Sequence, residues 1–548
     1  MTSHTLLKGS TKSLLPHSRS AGPIDPNEIT SVTVRVRSTG SQDALVEKAY
    51  ELANTPLNKR KYLTHEQLAS SYGANGADLT KIENYAQLHN LTCDRRSAAR
   101  RAVVLKGRLG DLLAAFPADI QMYHHTTGTY RGRRGDILIP DNLKDIITGI
   151  FGFDTRPKHR SPHRTKISSL NGPGNQDGLP ATFFATRYKF PVTQGASNLD
   201  GTGQTIAIIE LGGGYQNSDL QAYFQEIGSP APNVSAVSVD QTGNSPSTPD
   251  SDDGEVMLDI EVVGAVVPNA NIVVYFAPNK GDQGFLDAVS TAIHDAERKP
   301  SVISISWGGP EDYTDQQSIT AFHELFAEAS TLGITVCVAT GDHGTADLAA
   351  NQWDQKIHVD HPASDEFVLA CGGTQINGGG QTDPGSGTDV VWNDGTSFNL
   401  NVPGGGGWAS GGGISEVFPV PSYQSTIPNM PVSLDNGNSG RGIPDIAMSA
   451  TNYFTRVDTS EGASGGTSAV APLMAGLIAR LNQGVQKNVG FLNPVLYSNT
   501  AKGIFTNVTE GTNGIEGATK GYKAAAGWNA CTGLGTPVGT AILNILLT

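Results

Sequence analysis

The sequence predicts an α/β protein in which a doubly wound parallel sheet follows a smaller α/β domain. From about residue 179, short apolar runs alternate with helix-like segments, which is typical of a parallel sheet covered on both faces. Before that point, strand and helix patterns are mixed without regular alternation. The charge changes at the same place: residues 1–178 carry 25 Lys and Arg against 16 Asp and Glu, whereas residues 179–548 carry 13 against 36. The sequence therefore predicts two domains of different composition.

The first domain is expected between a polar N-terminus and a basic linker. Residues 1–30 are polar and contain Pro and Ser, so we expect them to be disordered. Residues 31–37 alternate apolar and polar side chains like a half-buried strand, and the domain spans 31–154. Residues 155–178 are basic and indicate an exposed, cleavable linker. Further helices are expected at about 43–53, 65–72, 78–89, 109–116 and 141–151, and further strands at 102–106, 120–123 and 136–140.

The second domain, residues 179–548, shows the alternation of strands and helices most clearly. Strands are expected at 204–209, 271–276, 302–306 and 334–339, and helices at 254–267, 285–296 and 319–332. The last of these strands runs into Gly341-Asp342, and the carboxyl ends of parallel strands are where open α/β folds hold their chemistry. Asp342 is therefore a candidate site residue, although a lone Gly-Asp is more commonly a simple turn.

Two carboxyl groups four residues apart form a second candidate. Glu255 and Asp259 lie one turn apart on the same face of the expected helix. Carboxylates stacked in this way repel each other, so one resists ionisation and can carry a proton. A solvated acidic face is the usual explanation for such a pair. Here the helix continues as Val-Val-Gly-Ala-Val-Val, which indicates burial and favours a chemical role.

A glycine-rich approach to a helix presents a serine near the C-terminal end of the chain. Residues 464–472 read SGGTSAVAP and lead into an apolar run, which places Ser468 at the start of a helix. Unpaired backbone N–H groups and the helix dipole favour a developing oxyanion at that position. The alternative is a Gly/Ser loop that caps an ordinary core helix.

Together, Glu255, Asp259, Asp342 and Ser468 resemble, in order and context, the sedolisin family of serine-carboxyl peptidases. The resemblance extends from about residue 31 to the end of the chain and includes IIELGGGY at 208–215, SISWGGPE at 304–311, ACGGT at 370–374 and GRGIPD at 440–445. It implies a subtilisin-like catalytic domain at 179–548, of the S53 peptidase type. It also implies that residues 31–154 form an inhibitory prodomain with a ferredoxin-like α/β sandwich fold.

The resemblance implies a role for each of the four residues. Ser468 is the expected nucleophile, and Glu255 is the general base that takes its proton and returns it to the leaving amine. Asp259 is expected to orient Glu255 and share its proton. Asp342 is expected in the oxyanion hole, where it must be protonated to donate a hydrogen bond. Because an ordinary aspartate has a pKa of about 3.9, this role implies an enzyme that acts in acid.

Supporting positions follow from the same resemblance. Glu210 and Trp307 match residues that extend the hydrogen-bonded network beyond Asp259, although each alone reads as structural. The backbone of Ser306 and Gly308 is expected to pair with an extended substrate. Asp360 is a candidate contact for a cationic substrate side chain, with a surface loop aspartate as the equal alternative.

The resemblance also implies a Ca²⁺ site near the C-terminus. The matching positions are Asn507, Val508, Ala525, Gly527 and Asn529. Both aspartate ligands of the family are asparagine here. Because asparagine carries no formal charge, we expect the loop geometry to survive while the Ca²⁺ ion is bound weakly or lost.

Several alternatives stay open at this point. One of the 13 histidines would be needed for a Ser-His-Asp triad, but none lies in a motif that presents a catalytic histidine. His343 replaces a serine that the family carries after the oxyanion aspartate, and a nearby imidazolium would favour the ionised form of Asp342. A tripeptidyl-peptidase of the same fold and a catalytically inactive binding protein are the competing functions.

The partners and location follow from charge and resemblance. The basic first domain and acidic second domain are read as complementary surfaces of an inhibitor and its own enzyme, and not as a nucleic-acid site, because aromatic interleaving is missing. We therefore expect polypeptide substrates, no nucleic acid, no membrane and a monomer. Residues 1–24 show no signal-peptide core, so an extracellular location is implied by the resemblance alone.

Overall fold

The structure is a computed structural model of the 548-residue chain. It describes residues 3–126, 128–156, 164–165, 178–247, 252–378, 383–399 and 405–548. Most of the expected linker at 155–178 lies outside the described residues. Within the described part of the chain, none of the helices is long and apolar enough to cross a membrane.

The N-terminal domain, residues 3–156, contains two antiparallel sheets of four strands each, in the orders β1-β7-β6-β2 and β4-β5-β3-β8. Its strands are β1 His4–Leu6, β2 Arg19–Gly22, β3 Ile29–Val36, β4 Thr92–Ser97, β5 Ala102–Arg108, β6 Ala118–His125, β7 Gly128–Pro140 and β8 Ile147–Phe151. Its helices are α1 Gln42–Asn54, α2 His65–Tyr72, α3 Gly76–Gln87 and α4 Leu109–Ala115. The second sheet has the βαββαβ chain order of a ferredoxin-like fold, which confirms the expected sandwich.

The expectation that residues 1–30 are disordered is wrong for the described residues from 3 onward. β1 pairs with β7, and β2 pairs with β6. Leu7 is buried in the N-terminal core, and Lys12 is buried against the C-terminal domain. The polar composition of this segment suits buried hydrogen bonds and ion pairs, which supply the ordering that local sequence does not.

The expected helix at 141–151 is also wrong. A single 3₁₀ turn at Asp141–Leu143 is followed by β8, which pairs antiparallel with β3. β-Branched residues dominate this stretch, and they favour an extended backbone. Pairing with β3 supplies the fourth strand of the sheet.

The C-terminal domain is built on a mainly parallel sheet in the order β13-β14-β12-β15-β17-β19-β20, with β23 also paired to β19. The remaining strands of the described chain are β9 Arg164–Thr165, β10 Thr193–Gln194, β11 Ser197–Asn198, β12 Thr205–Glu210, β13 Asn233–Ser238, β14 Asn271–Phe276, β15 Val302–Ile305, β16 Gly309–Pro310, β17 Thr335–Ala339, β18 Asp360–His361, β19 Leu369–Asn377, β20 Thr388–Val391, β21 Gly413–Ile414, β22 Gly442–Ile443, β23 Ile446–Ser449, β24 Tyr453–Val457, β25 Ser460–Gly465, β26 Phe505–Thr506 and β27 Thr536–Pro537.

Helices cover both faces of this sheet, as the sequence predicts. They are α5 Ala181–Arg187, α6 Asn217–Glu226, α7 Asp253–Val266, α8 Asp282–Ile293, α9 Gln316–Leu332, α10 Thr467–Val485, α11 Asn493–Ser498 and α12 Gly539–Leu546. α7 and α10 pack together on one face, and α8 packs with α9 on the other. All strands from β13 to β19 along the sheet run parallel, and only β20 is antiparallel.

The N-terminal domain docks on α8 and α9 through a buried set of ion pairs. Arg101 contacts Glu324 and Glu328 of α9 at 2.6 and 3.0 Å. Lys12 lies 2.9 Å from Asp282, and Arg133 lies 2.8 Å from Asp315. Further pairs of the same polarity join Arg35 to Glu324, Arg95 to Asp240 and Arg100 to Asp287. Basic side chains of the first domain thus meet acidic side chains of the second, in agreement with the charge distribution of the sequence.

Candidate active site

The predicted site residues meet at the carboxyl edge of the parallel sheet. β12 ends at Glu210, β15 is followed directly by Ser306, and β17 leads into the turn that carries Asp342. α7 contributes Glu255 and Asp259, and α10 contributes Ser468 in its first turn. The packing of α7 against α10 brings the acid pair and the serine to the same end of the domain.

The acid pair is completely enclosed. Glu255 is 1% exposed and Asp259 is 0% exposed, so these residues do not form a solvated acidic face of the helix. Burial, the charge of Glu255 and a hydrogen bond with Glu255 raise the pKa of Asp259 well above its ordinary value. A pair of this kind keeps a proton at a pH where exposed carboxylates are ionised.

Glu210 extends this acid cluster toward the neighbouring strands. The indole Nε1–H of Trp307 donates to Oε2 of Glu210 at 3.0 Å. Burial and the charges of Asp259 and Glu255 raise the pKa of Glu210 well above its ordinary value. Trp307 is therefore the hydrogen-bond partner of Glu210. The role of both residues in a catalytic network stays a prediction.

Ser468 occupies the second position of α10. Gly466 precedes the helix with φ 121°, a conformation that favours glycine, and this brings the chain sharply into the first turn. The side chain of Ser468 is buried, and its Oγ has no hydrogen-bond partner among the described residues. The positive end of the helix dipole also lies at this position.

Asp342 is tied to the residue before Ser468. Both the backbone N–H and the hydroxyl of Thr467 donate to Oδ1 of Asp342, at 2.7 and 2.9 Å. Because Oδ1 already accepts two hydrogen bonds, a proton on this carboxyl group belongs on Oδ2. The sequence contains Thr467 within its Gly-Thr-Ser motif, but the motif alone does not show that Thr467 holds Asp342.

Ser306 contacts the site through its side chain, a feature that the sequence does not reveal. Its hydroxyl lies 3.0 and 2.9 Å from the two carboxyl oxygens of Asp259 and 3.3 Å from the carbonyl oxygen of Ser468. The expectation from resemblance concerned only its backbone. Pairing of that backbone with a substrate stays a prediction.

Gly308 and Asp360 lie side by side. β16, which starts one residue after Gly308, pairs with β18, which begins at Asp360. A Cβ on Gly308 would come within 2.3 Å of Oδ1 of Asp360, so a larger residue there would force the Asp360 carboxyl group to move. Burial and the nearby Asp347 raise the pKa of Asp360 well above its ordinary value. Contact of this buried carboxyl with a cationic substrate stays a prediction.

His343 is directed toward an aromatic cluster. Its ring centroid lies 4.7 Å from that of Trp408 and 6.4 Å from that of Phe398, and its Nδ1 is 3.4 Å from the carbonyl oxygen of Gly407. These contacts account for an imidazole at this position through packing.

The predicted calcium positions are held together by amide hydrogen bonds. The side-chain oxygen of Asn507 accepts from the backbone N–H of Gly527 at 2.8 Å. The side-chain amide of Asn529 donates to the carbonyl oxygen of Ala525 at 3.0 Å, and its oxygen accepts from Cys531 and Thr532.

Three predicted ligand oxygens, Oδ1 of Asn507, Oδ1 of Asn529 and the carbonyl oxygen of Ala525, therefore already accept hydrogen bonds, and the two asparagines supply no negative charge. Val508, the fifth predicted position, is buried. Because Ca²⁺ prefers carboxylate-rich oxygen cages, this loop does not fit a Ca²⁺ ion.

Comparison with protein families divides the chain in the same way as its fold. Residues 16–156 match the pro-kumamolisin activation domain, and residues 241–522 match the subtilase family. The first match covers most of the N-terminal domain. The second contains Glu255, Asp259, Asp342 and Ser468.

Individual relatives give the same assignment. The chain is 41% identical to kumamolisin of a Bacillus species over 99% of its own length and 96% of that protein. It is 27% identical to tripeptidyl-peptidase sed5 of Aspergillus fumigatus over 98% of the chain and 97% of the relative. Among solved structures, Pseudomonas sedolisin in complex with pseudo-iodotyrostatin matches with a TM-score of 0.58 and 28% identity, over 68% of this chain and 99% of sedolisin. The chain therefore belongs to the sedolisin family and is a serine-type peptidase with an activation prodomain.

Proposed function

We propose that the chain is an acid-acting serine-carboxyl endopeptidase made as a self-processing zymogen. The observation that carries this proposal is the convergence of two carboxyl systems on the first turn of α10. Asp342 binds Thr467, and Asp259 is linked through Ser306 to the backbone of Ser468. Ser468 lies among carboxyl groups, and no histidine of the described residues hydrogen-bonds its Oγ, which favours a carboxyl group as its base.

In this mechanism, the hydroxyl of Ser468 attacks the carbonyl carbon of the scissile peptide bond. Glu255 accepts the hydroxyl proton as the C–O bond forms, and Asp259 stabilises the added proton by sharing it within the pair. Glu255 then donates that proton to the leaving amine as the C–N bond breaks. Water then attacks the acyl carbon while Glu255 accepts one of its protons. Glu255 returns that proton to the Ser468 oxygen as the ester bond breaks, which releases the acyl group as a carboxylic acid.

Asp342 supplies the hydrogen bond to the tetrahedral oxyanion. In its neutral form, Oδ1 accepts from Thr467 and Oδ2 carries the proton that the oxyanion needs. An ionised Asp342 would repel the oxyanion instead. Activity is therefore expected to fall as the pH rises and Asp342 loses its proton.

The linker supports self-processing. The backbone of Arg164–Thr165, within the predicted linker 155–178, pairs antiparallel with Ser464–Gly465, which lead directly to the nucleophile. An internal segment of the chain thus lies along the strand next to Ser468, in the extended form in which a peptide substrate binds. This pairing also favours endopeptidase action, because the segment continues in both directions.

The N-terminal domain acts as an inhibitor in the same chain. Its match to an activation domain implies intramolecular inhibition and polypeptide substrates. The ion pairs with α8 and α9 hold it in place until acid protonates their carboxylates. We further propose an extracellular location and a monomer, both on the resemblance of the chain to its family.

The test compares the purified precursor with the matched variant Ser468→Ala at about pH 4, near the ordinary pKa of aspartate. The parent is expected to shorten itself to a product that begins within residues 155–179, and the variant is expected to remain intact. An intact parent, or equal shortening of both proteins, would contradict the proposal. Inactivity of the parent on every peptide would instead favour a binding protein.

A tripeptidyl-peptidase of the same fold is the second candidate, because one relative of nearly full coverage carries that name. One peptide substrate, tested with a free and with an acetylated N-terminus, distinguishes the two activities. An endopeptidase cleaves both internally. A tripeptidyl-peptidase releases three-residue fragments and requires the free amine.

A further inference from the structure

The catalytic steps proposed above assign no task to the side chain of Ser306. Its side chain is completely buried at the end of β15. One hydroxyl there meets both carboxyl oxygens of Asp259 and the backbone carbonyl of Ser468. This hydroxyl thus links the helix that carries the acid pair to the helix that carries the serine.

We infer that the Ser306 hydroxyl is a positioning group that fixes Asp259 to the backbone of the nucleophile and keeps the Glu255–Asp259 pair able to accept a proton in acid. This inference rests on the proposed function, because it assigns a task within that mechanism. A hydroxyl has one proton to donate and two lone pairs to accept with, so it suits both protonation states of Asp259.

The consequences differ between those two states. When Asp259 is ionised, the Ser306 hydroxyl donates to it and stabilises the charge. When Asp259 is protonated, Asp259 can donate to Oγ of Ser306, whose own proton then turns to the carbonyl oxygen of Ser468. The link therefore persists through the proton transfer, and the distance between α7 and α10 need not change.

The acidic neighbours of Asp259 favour its protonated form, and the Ser306 hydroxyl opposes their effect by donating a hydrogen bond. The titratable groups that act on it are Glu255 on its own helix and Glu210 on β12, and both are acidic. Burial and Glu255 raise the pKa of Asp259, whereas the hydrogen bond from Ser306 lowers it. Without Ser306, the pair would become fully protonated at a higher pH and lose its function as a base there.

Ser304 provides a matched control. It lies on β15, two residues before Ser306, which directly follows the strand, so in an extended chain both side chains point to the same face. Ser304 is also completely buried, and its Oγ has no hydrogen-bond partner among the described residues. Replacing it removes a hydroxyl two residues away and leaves the hydrogen bond between Ser306 and Asp259 in place.

The experiment measures kcat/KM against pH for the activated parent, Ser306→Ala, Ser306→Cys and Ser304→Ala, each matured by a trace of parental enzyme that is then removed. Both Ser306 variants are expected to shift the acid limb upward by about one pH unit, which corresponds to the loss of one hydrogen bond to a charged group. Ser304→Ala is expected to keep the parental limb. Ser306→Cys, which retains size but donates weakly, serves if the alanine variant does not fold.

An unmoved acid limb in the folded Ser306 variants, or an equal shift in Ser304→Ala, would overturn the inference. Failure of the proposed function is distinguishable by Ser468→Ala in the same assay. If that variant keeps its activity, the mechanism itself is wrong. If it is inactive while the Ser306 variants match the parent, only the role of Ser306 is wrong.

Discussion

The backbone N–H of Thr467 donates a 2.7 Å hydrogen bond to Oδ1 of Asp342, one residue before the proposed nucleophile. This contact fixes which oxygen of Asp342 accepts and which one is left to carry a proton. We therefore expect the protonation of Asp342 to determine how activity falls as the pH rises.

Replacing Asp342 by asparagine should extend activity toward neutral pH. The amide of Asn would keep its oxygen toward Thr467 and present an N–H to the oxyanion at every pH, so the alkaline limb of the kcat/KM profile should move upward. Asp342→Ala has no donor and should lower kcat by about 10²- to 10³-fold. If the alkaline limb of Asp342→Asn matched that of the parent, the assignment of that limb to Asp342 would be wrong.

Glu328 should contribute to the pH at which acid releases the prodomain from the catalytic domain. Burial opposes its charge, but Arg101 and His294 outweigh burial and lower its pKa from 4.5 to about 2. A carboxyl with a lowered pKa stabilises the docked state above pH 4.5, and this contribution is lost as the pH falls from about 4.5 to about 2.

Removing this charge with Glu328→Gln should let the precursor process itself at a higher pH than the parent. The fraction processed after a fixed time, measured on gels across the pH range, tests this. Arg134→Ala removes an exposed ion pair with Asp119 within the same prodomain and should leave the profile unchanged. Identical profiles for Glu328→Gln and the parent would refute the assignment.

Lys12 should strengthen inhibition from outside the part of the chain that matches the activation domain. That match begins at residue 16, yet Lys12 is buried 2.9 Å from Asp282 and 3.9 Å from Asp315. Lys12→Met leaves a buried aspartate without its cation, which weakens docking. The precursor should then process severalfold faster at a given acid pH, whereas Lys8→Met, at an exposed position, should not differ from the parent. Equal rates for both variants would show that this segment does not contribute.

The amide-linked loop near the C-terminus should make stability independent of calcium. We expect the melting temperature of the mature enzyme to be the same with a chelator and with millimolar Ca²⁺. The double variant Asn507→Asp/Asn529→Asp restores two charged ligands and should gain a calcium-dependent increase. Micromolar or tighter Ca²⁺ binding by the parent in calorimetric titration would contradict this expectation.

The sequence predicted the sheet and its helices well because their signals are local. The strand at 271–276 was expected with the observed bounds, and the helix that carries Glu255 and Asp259 differs from expectation by one residue at each end. Continuous β-branched runs and a long apolar helix are properties of the segments themselves. The ordered N-terminal segment was missed because its order depends on distant partners, such as Asp282 for Lys12.

The site shows the same division. The spacing of Glu255 and Asp259 places them on one helical face in any helix, so the pair was predictable. The contact of Ser306 with Asp259 was not, because a serine at a strand end gives no indication of where its hydroxyl points. The resemblance supplied the roles of the four principal residues, and the structure shows the donors, Ser306 and Thr467, that orient Asp259 and Asp342.

The most direct measurement of the central claim is the identity of the residue that becomes acylated. The activated enzyme is mixed with a slowly hydrolysed peptide ester, quenched in acid and digested for mass spectrometry. We predict an acyl group on the fragment that contains Ser468 in the parent, and a rate of acylation lowered by at least about 10²-fold in Glu255→Gln, the scale of general-base catalysis. An acyl group on another residue, or parental acylation in Glu255→Gln, would contradict a serine nucleophile activated by a carboxyl pair.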